Sequence, residues 1–500
     1  MKKLYFSLSL CCFSLTTFGQ IVNIPDANFK AKLLSASTSS SVAQIGTNYV
    51  KIDTNNDGEI QVNEAMLITL LDVSSSSISS LEGVTAFNNL QTLRCSNNNL
   101  QNFEIANLPA LQNFDCSYNQ FTAINVTPQL RSLNFAHNQI STLDLLGDFN
   151  QLIVLTCSNN LLTELSLSNV PNLRALYCSN NQLMSLDVSG LSQLEGLSCS
   201  YNQITTLDVS NKPNLAQFHC WNNQLTSLVI ANVPNLYEFV CSYNLLTSLI
   251  VPPGNVFETF DCSHNLLTAL DLTNETNDYW WLDVSYNQLN NFVVPRLSFD
   301  GRLVISGNLY TSLSFLPNST IISFTINDTN LVSLDLSNVA TTPIDPDPSD
   351  YFFKLNNNLD LQNLNVKNGQ LQYFTSFYIS NNPVLSAVCA DENEIFSAVT
   401  AFGTNVTVAS DCTLGNQDFS GNQVTLTPNP TTGVLNVNFE TGTSNNKINL
   451  YNPLGQLVKT LTSDALSSSM IIDVSALKTG TYFMEINSNE GKTTKKFVKL

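Results

Sequence analysis

The sequence predicts a mostly β protein: a solenoid of short parallel strands followed by a small Ig-like β-sandwich. Three observations carry this expectation. Cysteines recur on a 21-residue lattice through the middle of the chain. Apolar and polar residues alternate around each of them. Near Val424 the lattice stops, and longer alternating segments with a basic composition take over.

The lattice is formed by Cys95, Cys116, Cys157, Cys178, Cys199, Cys220, Cys241 and Cys262, and from Cys157 onward every step is 21 residues. Phe135 fills the rung between Cys116 and Cys157, while Val284, Ile305, Ile326 and Ile379 continue the series. Each rung reads L-x-x-L-x-C-S-x-N-x-L-T-x-L-D-V-S, as over Leu173 to Ser189 and Leu194 to Ser210. Leucines at the first and fourth places and cysteine at the sixth leave the intervening places to solvent, which is strand periodicity. The second half of the repeat, Leu-Thr-x-Leu-Asp-Val, restates the alternation in shorter form. Each coil is therefore expected to hold two short extended segments joined by tight turns, with little helix.

Three residues past each rung stands an asparagine: Asn98, Asn119, Asn138, Asn160, Asn181, Asn202, Asn223, Asn244, Asn265, Asn287 and Asn308. An inward amide at a turn satisfies buried backbone groups, here expected to be those of its own coil and the next. On these residues the region from about Leu81 to Ala387 resembles the leucine-rich-repeat family in its short bacterial form. The cysteine ladder is similar to that of a listeria internalin subgroup. The resemblance implies a binding rather than a catalytic protein. It weakens after Gly307, where Pro343, Pro346 and Pro348 mark an inserted loop.

Two readings of the ladder cysteines compete, stacked disulfides or buried free thiols. Neighbouring rungs stand ~4.8 Å apart with parallel side chains, whereas a relaxed disulfide wants β-carbons ~3.8 Å apart across a near-perpendicular torsion. The ladder also accepts Phe135, Val284 and Ile305, so packing is the demand at this position and free thiols are expected. Cys389 and Cys412 lie off the lattice. A disulfide between them would staple the end of the solenoid, where an uncapped coil exposes apolar surface.

At the N-terminus, Lys2 and Lys3, the apolar run Leu4 to Leu15 and Thr17-Phe18-Gly19 read as a signal peptide over 1–19, with Gln20 starting the mature chain. No later stretch reaches eighteen apolar residues, so no membrane span is expected. A helix is expected near Asp26 to Ser35. The segment Asp53-Thr-Asn55-Asn-Asp57-Gly58-Glu59-Ile60-Gln61-Val-Asn-Glu64 fits a twelve-residue EF-hand loop. Asp53, Asn55 and Asp57 supply side-chain oxygens, Glu59 its backbone carbonyl and Glu64 both carboxylate oxygens. The segment before it, Gly46 to Val50, does not read as a helix. A structural Ca²⁺ site tying the N-terminal helix to the first coils and an Asn/Asp-rich turn that binds nothing are the two readings.

Residues 424–500 hold seven lysines against five acidic residues, the reverse of the chain's net charge of −19. Val434–Phe439, Lys447–Leu450 and Thr481–Ile486 alternate between Pro, Gly and Asn turns, as in a β-sandwich. Pro428-Asn-Pro-Thr-Thr-Gly433, Tyr451-Asn-Pro-Leu-Gly455, Asp473-Val-Ser-Ala-Leu477 with Gly480-Thr-Tyr-Phe483, and the ending Lys495-Lys-Phe-Val-Lys-Leu500 appear in order. These motifs resemble the type A sorting domain of the type IX secretion system. That resemblance implies export to the outer surface of, or release from, a Gram-negative, Bacteroidetes-type bacterium. The chain thus divides into 1–19, an N-terminal cap over 20–80, a solenoid over 81–388, a C-terminal cap and linker over 389–423, and the sorting domain over 424–500.

A charge of −19 argues against nucleic acid, since phosphates need a cationic partner. No phosphate loop, zinc motif or nucleophile elbow appears, and three histidines leave little for acid–base chemistry, so no enzyme is expected. The repeat face is the better candidate. Outward positions of the first strand are read to collect Tyr118, Tyr177, Tyr201, His219, Trp221, Tyr243, His264, Trp281 and Tyr286, while His137 and His264 stand two places after the rung, beside the ladder asparagine, in one surface column with the tyrosines. Aromatics of this kind give contact area at low entropic cost. A protein or a polysaccharide partner is expected, with a passive surface-layer or spacer role as the alternative.

Overall fold

The computed structural model describes residues 19–500 apart from 103–106, 275–276, 318, 341–350, 370–373, 403–405, 411–423, 444–445, 453–455, 464–466 and 489–490. Residues 1–18 of the signal segment, the three prolines of the inserted loop and Cys412 lie outside the described residues. The chain forms two units, one running to Gln362 with Asn368–Leu385, the other comprising Asn363–Lys367 and Ser386–Leu500.

In the first unit, helix α1 (Ala27–Leu34) is N-capped by Asp26, whose Oδ1 accepts from the Phe29 amide at 2.9 Å. The other oxygen, Oδ2, accepts from Ser79 N, Ser79 Oγ and Ser80 N at 2.8, 2.8 and 3.0 Å, fastening the helix to the first coil. Burial would raise the pKa of this carboxyl, but those hydrogen bonds outweigh it and hold it below the usual range. A hairpin follows, Ala43–Ile45 against Asn48–Tyr49, turning at Gly46 with φ +59°. Its first strand pairs antiparallel with Leu70–Asp72. That strand opens the parallel stack, pairing in register with Thr92–Arg94, which pairs with Asn113–Asp115. The stack thus begins before Leu81.

Three-residue strands then follow coil by coil to Glu238–Val240, each beside its predecessor in register. Strands lengthen to six residues at Val256–Asp261 and Asp278–Asp283 and to eight at Leu297–Val304. Ser323–Asn327, Phe352–Asn356 and Ser376–Ser380 complete the sheet. Ile326 pairs with Leu355 and Leu355 with Ile379, so Leu355 is the rung that the irregular spacing concealed. The second half-repeat forms paired strands only in some coils, as at Thr206–Asp208 with Ser227–Val229; elsewhere it stays extended without a ladder.

The core follows the lattice. Leu194, Leu197, Cys199, Ile204, Leu207 and Val209 are all buried, and the same places are buried in neighbouring coils. At the fourth place leucine gives way to Phe218, Phe239 and Phe260, whose rings lie 5.6 and 5.4 Å apart. The asparagine ladder joins the coils. Nδ2 of Asn119 donates to the carbonyl of its own rung, Cys116, at 3.1 Å and to that of the preceding rung, Cys95, at 3.0 Å, while Oδ1 accepts from Leu100 N at 3.0 Å. The geometry repeats at Asn138, Asn160, Asn202 and Asn265. The partner is therefore the preceding coil, not the next, because the turn carries the amide back over the coil just completed.

In the second unit, Asn363–Asn365, Ala387–Cys389 and Thr407–Ala409 pair in parallel. Helix α3 (Ile395–Phe402) stands between the last two strands in the chain. From Val424 the pairing becomes antiparallel. A three-stranded sheet (Val424–Thr427, Val434–Thr443, Ser467–Asp473) and a four-stranded one (Leu457–Ser463, Asn446–Tyr451, Gly480–Ser488, Gly491–Lys499) share one core. Leu435, Val437 and Ile472 from the first meet Ile448, Leu450, Met484, Ile486 and Phe497 from the second. The motif at Pro428–Thr431 sits against the C-terminal strand: Asn429 Nδ2 donates to Lys496 O, Val498 N to Asn429 Oδ1, and Leu500 N to Thr431 O, at 3.0, 2.9 and 2.9 Å. The opening motif and the closing Lys-Lys-Phe-Val-Lys-Leu are thus two halves of one local structure.

Candidate binding face

After each strand of the first unit the chain turns, and one residue of that turn takes a left-handed backbone. Asparagine holds it at Asn97, Asn159, Asn180 and Asn222, with φ between 53° and 58°. Tyr118, His137, Tyr201, Tyr243, His264 and Tyr286 hold it in six more, with φ between 51° and 56°, and Ser75, Gly307, Asp328, Asn357 and Asn381 hold it in others. Tyr118, Tyr201, Tyr243, His264 and Tyr286 were read as outward positions of the strand, and the structure corrects that: all six lie past its end, beside the ladder asparagine, where the spacing also puts His137 and His264. Each of these strands ends on an outward residue three places earlier, such as Val240 before Tyr243 and Asp261 before His264, so the alternation does not reach them. A left-handed conformation costs a residue with a β-carbon about 1 kcal/mol, a cost that asparagine relieves best.

The rings recover part of that cost by stacking along the turn column. Tyr118 and His137 lie 3.9 Å apart at 13°, Tyr243 and His264 4.0 Å at 10°, and His264 and Tyr286 4.5 Å at 15°. Tyr201 meets Trp221 edge-on at 4.4 Å. His137 Nε2 lies 3.2 Å from Asn159 Nδ2, so the column continues through an amide where a ring is missing. Burial within the stack lowers the His264 pKa against the pull of Asp261, which keeps the ring neutral at physiological pH. Burial, then Asp328, raises that of Tyr286. Neither Asp328 nor Gly307 was legible as part of this column, since both stand where the repeat is degraded.

Tyr177, His219 and Trp281 do lie on strands, as expected. Tyr177 and Trp281 are exposed. His219 is not free: Nε2 lies 2.9 Å from Glu238 Oε1, and Glu238 Oε2 accepts from Gln217 Nε2 at 2.6 Å. Tyr378, directly before Ile379, is an exposed strand-face ring that the irregular spacing hid. The strand face otherwise mixes polar residues with Val154, Ala175, Val240 and Phe352. Near its N-terminal end Arg94, Asn113, Asp115, Asn134 and Thr156 line a shallow depression of about 480 Å³. Asp115, Asp261 and Asp283 each turn one oxygen to the amide two residues on, so these carboxylates shape turns.

All eight ladder cysteines are free and buried. Burial pushes their thiols up, Cys178 to about 12, which leaves them protonated and inert. Cys389 is disulfide-bonded. In the Asp53–Glu64 loop Gly58 takes φ +79° and Ile60 is buried. Asp53 Oδ2 accepts from Gly58 N at 3.3 Å, Asn55 Oδ1 from Asp57 N at 3.0 Å, and Asp57 Oδ1 from Glu59 N at 2.9 Å. Glu64 Oε1 accepts from Thr54 N at 2.7 Å, and Oε2 from Gln61 N, capping helix α2 (Val62–Ala65). The Glu59 side chain instead reaches Lys30 of α1 at 2.6 Å. Among the described residues no three acidic, histidine or cysteine side chains converge as a metal cluster.

Residues 171–212 match the family described as Leucine Rich repeats (2 copies). The functional domain of InlJ from Listeria monocytogenes, described as including a cysteine ladder, superimposes with a TM-score of 0.51 at 20% identity, over 96% of this chain and 98% of that one. The repeat region is a leucine-rich-repeat solenoid. A leucine-rich-repeat protein of Leptospira interrogans is also similar, with a TM-score of 0.46 at 17% identity over 70% of this chain and 97% of its own. After the solenoid, residues 425–500 match the Secretion system C-terminal sorting domain, the tail that the four motifs resemble. No curated protein sequence matches the chain. No helix among the described residues is long and apolar enough to cross a membrane.

Proposed function

We propose that this is a non-catalytic binding protein, exported by type IX secretion to the outer surface or the medium, which contacts a protein partner through its turn column. The observation that carries this reading is the backbone at Tyr118, His137, Tyr201, Tyr243, His264 and Tyr286. Six aromatic or imidazole rings occupy a left-handed position that other coils fill mostly with asparagine, and at Ser75, Gly307 and Asp328 with other small residues. Rings kept where they strain the backbone point to a use for the rings themselves.

Stacking also supports a protein as the partner. A polysaccharide packs sugar rings on aromatic faces, whereas the faces of His264 are covered by Tyr243 on one side and Tyr286 on the other. What remains is a row of ring edges and phenolic hydroxyls, suited to the mixed apolar and polar surface of a protein. The alternative, a passive spacer whose rings stack for stability alone, requires that asparagine in their place lower the melting temperature and leave binding unchanged.

The test replaces Tyr243, His264 and Tyr286 together by asparagine, the residue the turn itself prefers. Wild type and variant are applied to arrays of cell-surface proteins and of glycans. Loss of protein-array binding with an unchanged melting temperature supports the reading. Binding confined to the glycan array favours a polysaccharide, and equal behaviour of both proteins on both arrays supports the spacer.

A further inference from the structure

We infer that the loop from Asp53 to Glu64 is a Ca²⁺ site, and that the ion holds the N-terminal cap against the first coil. The deciding observation is one atom. Asp53 is 6% exposed, and its Oδ1 is buried without a hydrogen-bond partner. A carboxylate oxygen left bare in the interior is costly unless a cation or donor meets it. Glu64, also 6% exposed, sits at the other end of the loop. Thr54 N and Thr54 Oγ1 donate to its Oε1 at 2.7 and 2.6 Å, which brings the twelfth residue of the loop against the residue following the first. The donors to these two buried carboxylates are backbone amides and a hydroxyl. Among the described residues no Lys, Arg or His pairs with either. Two negative charges are thus buried together with neutral partners only.

The rest of the loop is arranged for the same ion. Gly58 makes the left-handed turn at the sixth place, and its amide fixes Asp53 Oδ2, leaving Oδ1 for a ligand. Asn55 and Asp57 add an amide and a carboxylate oxygen at the third and fifth places. At the seventh, the Glu59 carboxylate is drawn away to Lys30, so the residue contributes its backbone carbonyl. Carboxylate, amide and carbonyl oxygens in one flexible loop suit Ca²⁺, which takes about 6–8 oxygens; Mg²⁺ demands a tighter octahedron and keeps its waters. The ends of the loop are tied into the cap. Val22 N donates to Ile60 O and Val62 N to Gln20 O, both at 2.8 Å, and Lys30 joins the loop to α1. Neutralising Asp53 and Glu64 therefore stabilises the element that closes the solenoid.

The experiment titrates Ca²⁺ into chelator-treated full-length protein by calorimetry and follows the melting transition of the cap. One ion per chain is expected, with a rise in melting temperature and an affinity in the extracellular range of about 10⁻⁴–10⁻³ M or tighter. Asp53→Asn should weaken binding at least about tenfold while keeping the oxygen that accepts from Gly58. Asp57, fully exposed, provides a second variant that leaves the buried pair intact, and Asp57→Asn should weaken binding as well. Absence of heat and of any melting shift at millimolar Ca²⁺ overturns the proposal. So does undiminished binding by folded Asp57→Asn or Asp53→Asn protein, which would assign the uptake to the acidic surface at large.

Discussion

The ring of Tyr286 lies over Gly307 so closely that a β-carbon there would stand 2.4 Å from its Cδ1. The neighbouring turn has given up its side chain to seat this ring, and the stack from Tyr243 through His264 to Tyr286 ends on that glycine. Gly307→Ala is expected to displace the Tyr286 ring and to strain a turn at φ +61°. It should lower stability by roughly 1–2 kcal/mol and alter the near-ultraviolet circular dichroism of the stack. An unchanged spectrum would mean that the ring moves freely.

The ladder asparagines should be far less replaceable than their small size suggests. Asn202 donates to Cys178 O and Cys199 O at 3.1 and 3.0 Å and accepts from Leu183 N at 3.0 Å. Asn202→Leu strands the Leu183 amide inside the protein, at roughly 1–3 kcal/mol, while Cys178 O and Cys199 O each lose one of two amide donors and keep Asn181 Nδ2 and Asn223 Nδ2. Urea unfolding should show a loss of at least about 1 kcal/mol.

Free thiols packed as small hydrophobes make the opposite forecast for Cys199. Cys199→Val should cost less than about 1.5 kcal/mol, whereas Cys199→Asp, an unpaired buried charge, should cost about 3–5 kcal/mol or prevent folding. Alkylation should reach the eight ladder cysteines only after denaturation. Reaction in the native protein would show that the ladder opens.

Asp283 supplies a pH dependence. Burial, with the charge of Asp261 adding to it, pushes its carboxyl up to about 6. An unfolded aspartate titrates near 3.9, so the folded state holds this proton more tightly. The stabilisation from that proton is complete below about pH 4 and is lost as pH rises through about 6. Asp283→Asn keeps an oxygen to accept from Ser285 N and Oγ and removes the charge. It should stabilise the protein at about pH 7.5 by up to roughly 3 kcal/mol and change little near pH 4. Equal effects at both values would contradict the shift.

Removal of residues 424–500 should leave the protein in the periplasm of its native host, with the solenoid still folded. Asn429→Ala, which breaks the tie to Lys496 and Val498, should impair export more mildly. Surface display of the truncated chain would show that the sorting domain is dispensable.

Most of the fold could be read without coordinates because a solenoid is built from local contacts that repeat. Each coil buries the same places against its neighbours, so Leu194, Leu197 and Cys199 announce the positions of Leu173, Leu176 and Cys178. The sandwich was legible for a similar reason, since alternation over Val434–Phe439 maps directly onto one buried face. Leu355 escaped because the insertion before it broke the count, although its burial and pairing are those of any other rung.

Three features belonged to the tertiary structure alone. The side on which Tyr243 or His264 emerges depends on one left-handed residue beyond the end of a strand, where alternation no longer specifies direction. Whether rings in successive coils stack or splay depends on the register between coils, a distance of about 20 residues in sequence but ~4.8 Å in space. And the want of a partner at Asp53 Oδ1 exists only once Gly58, Thr54 and Glu64 have closed around it. Composition and period state which side chains the coils must bury; only packing states which polar atoms are left facing nothing.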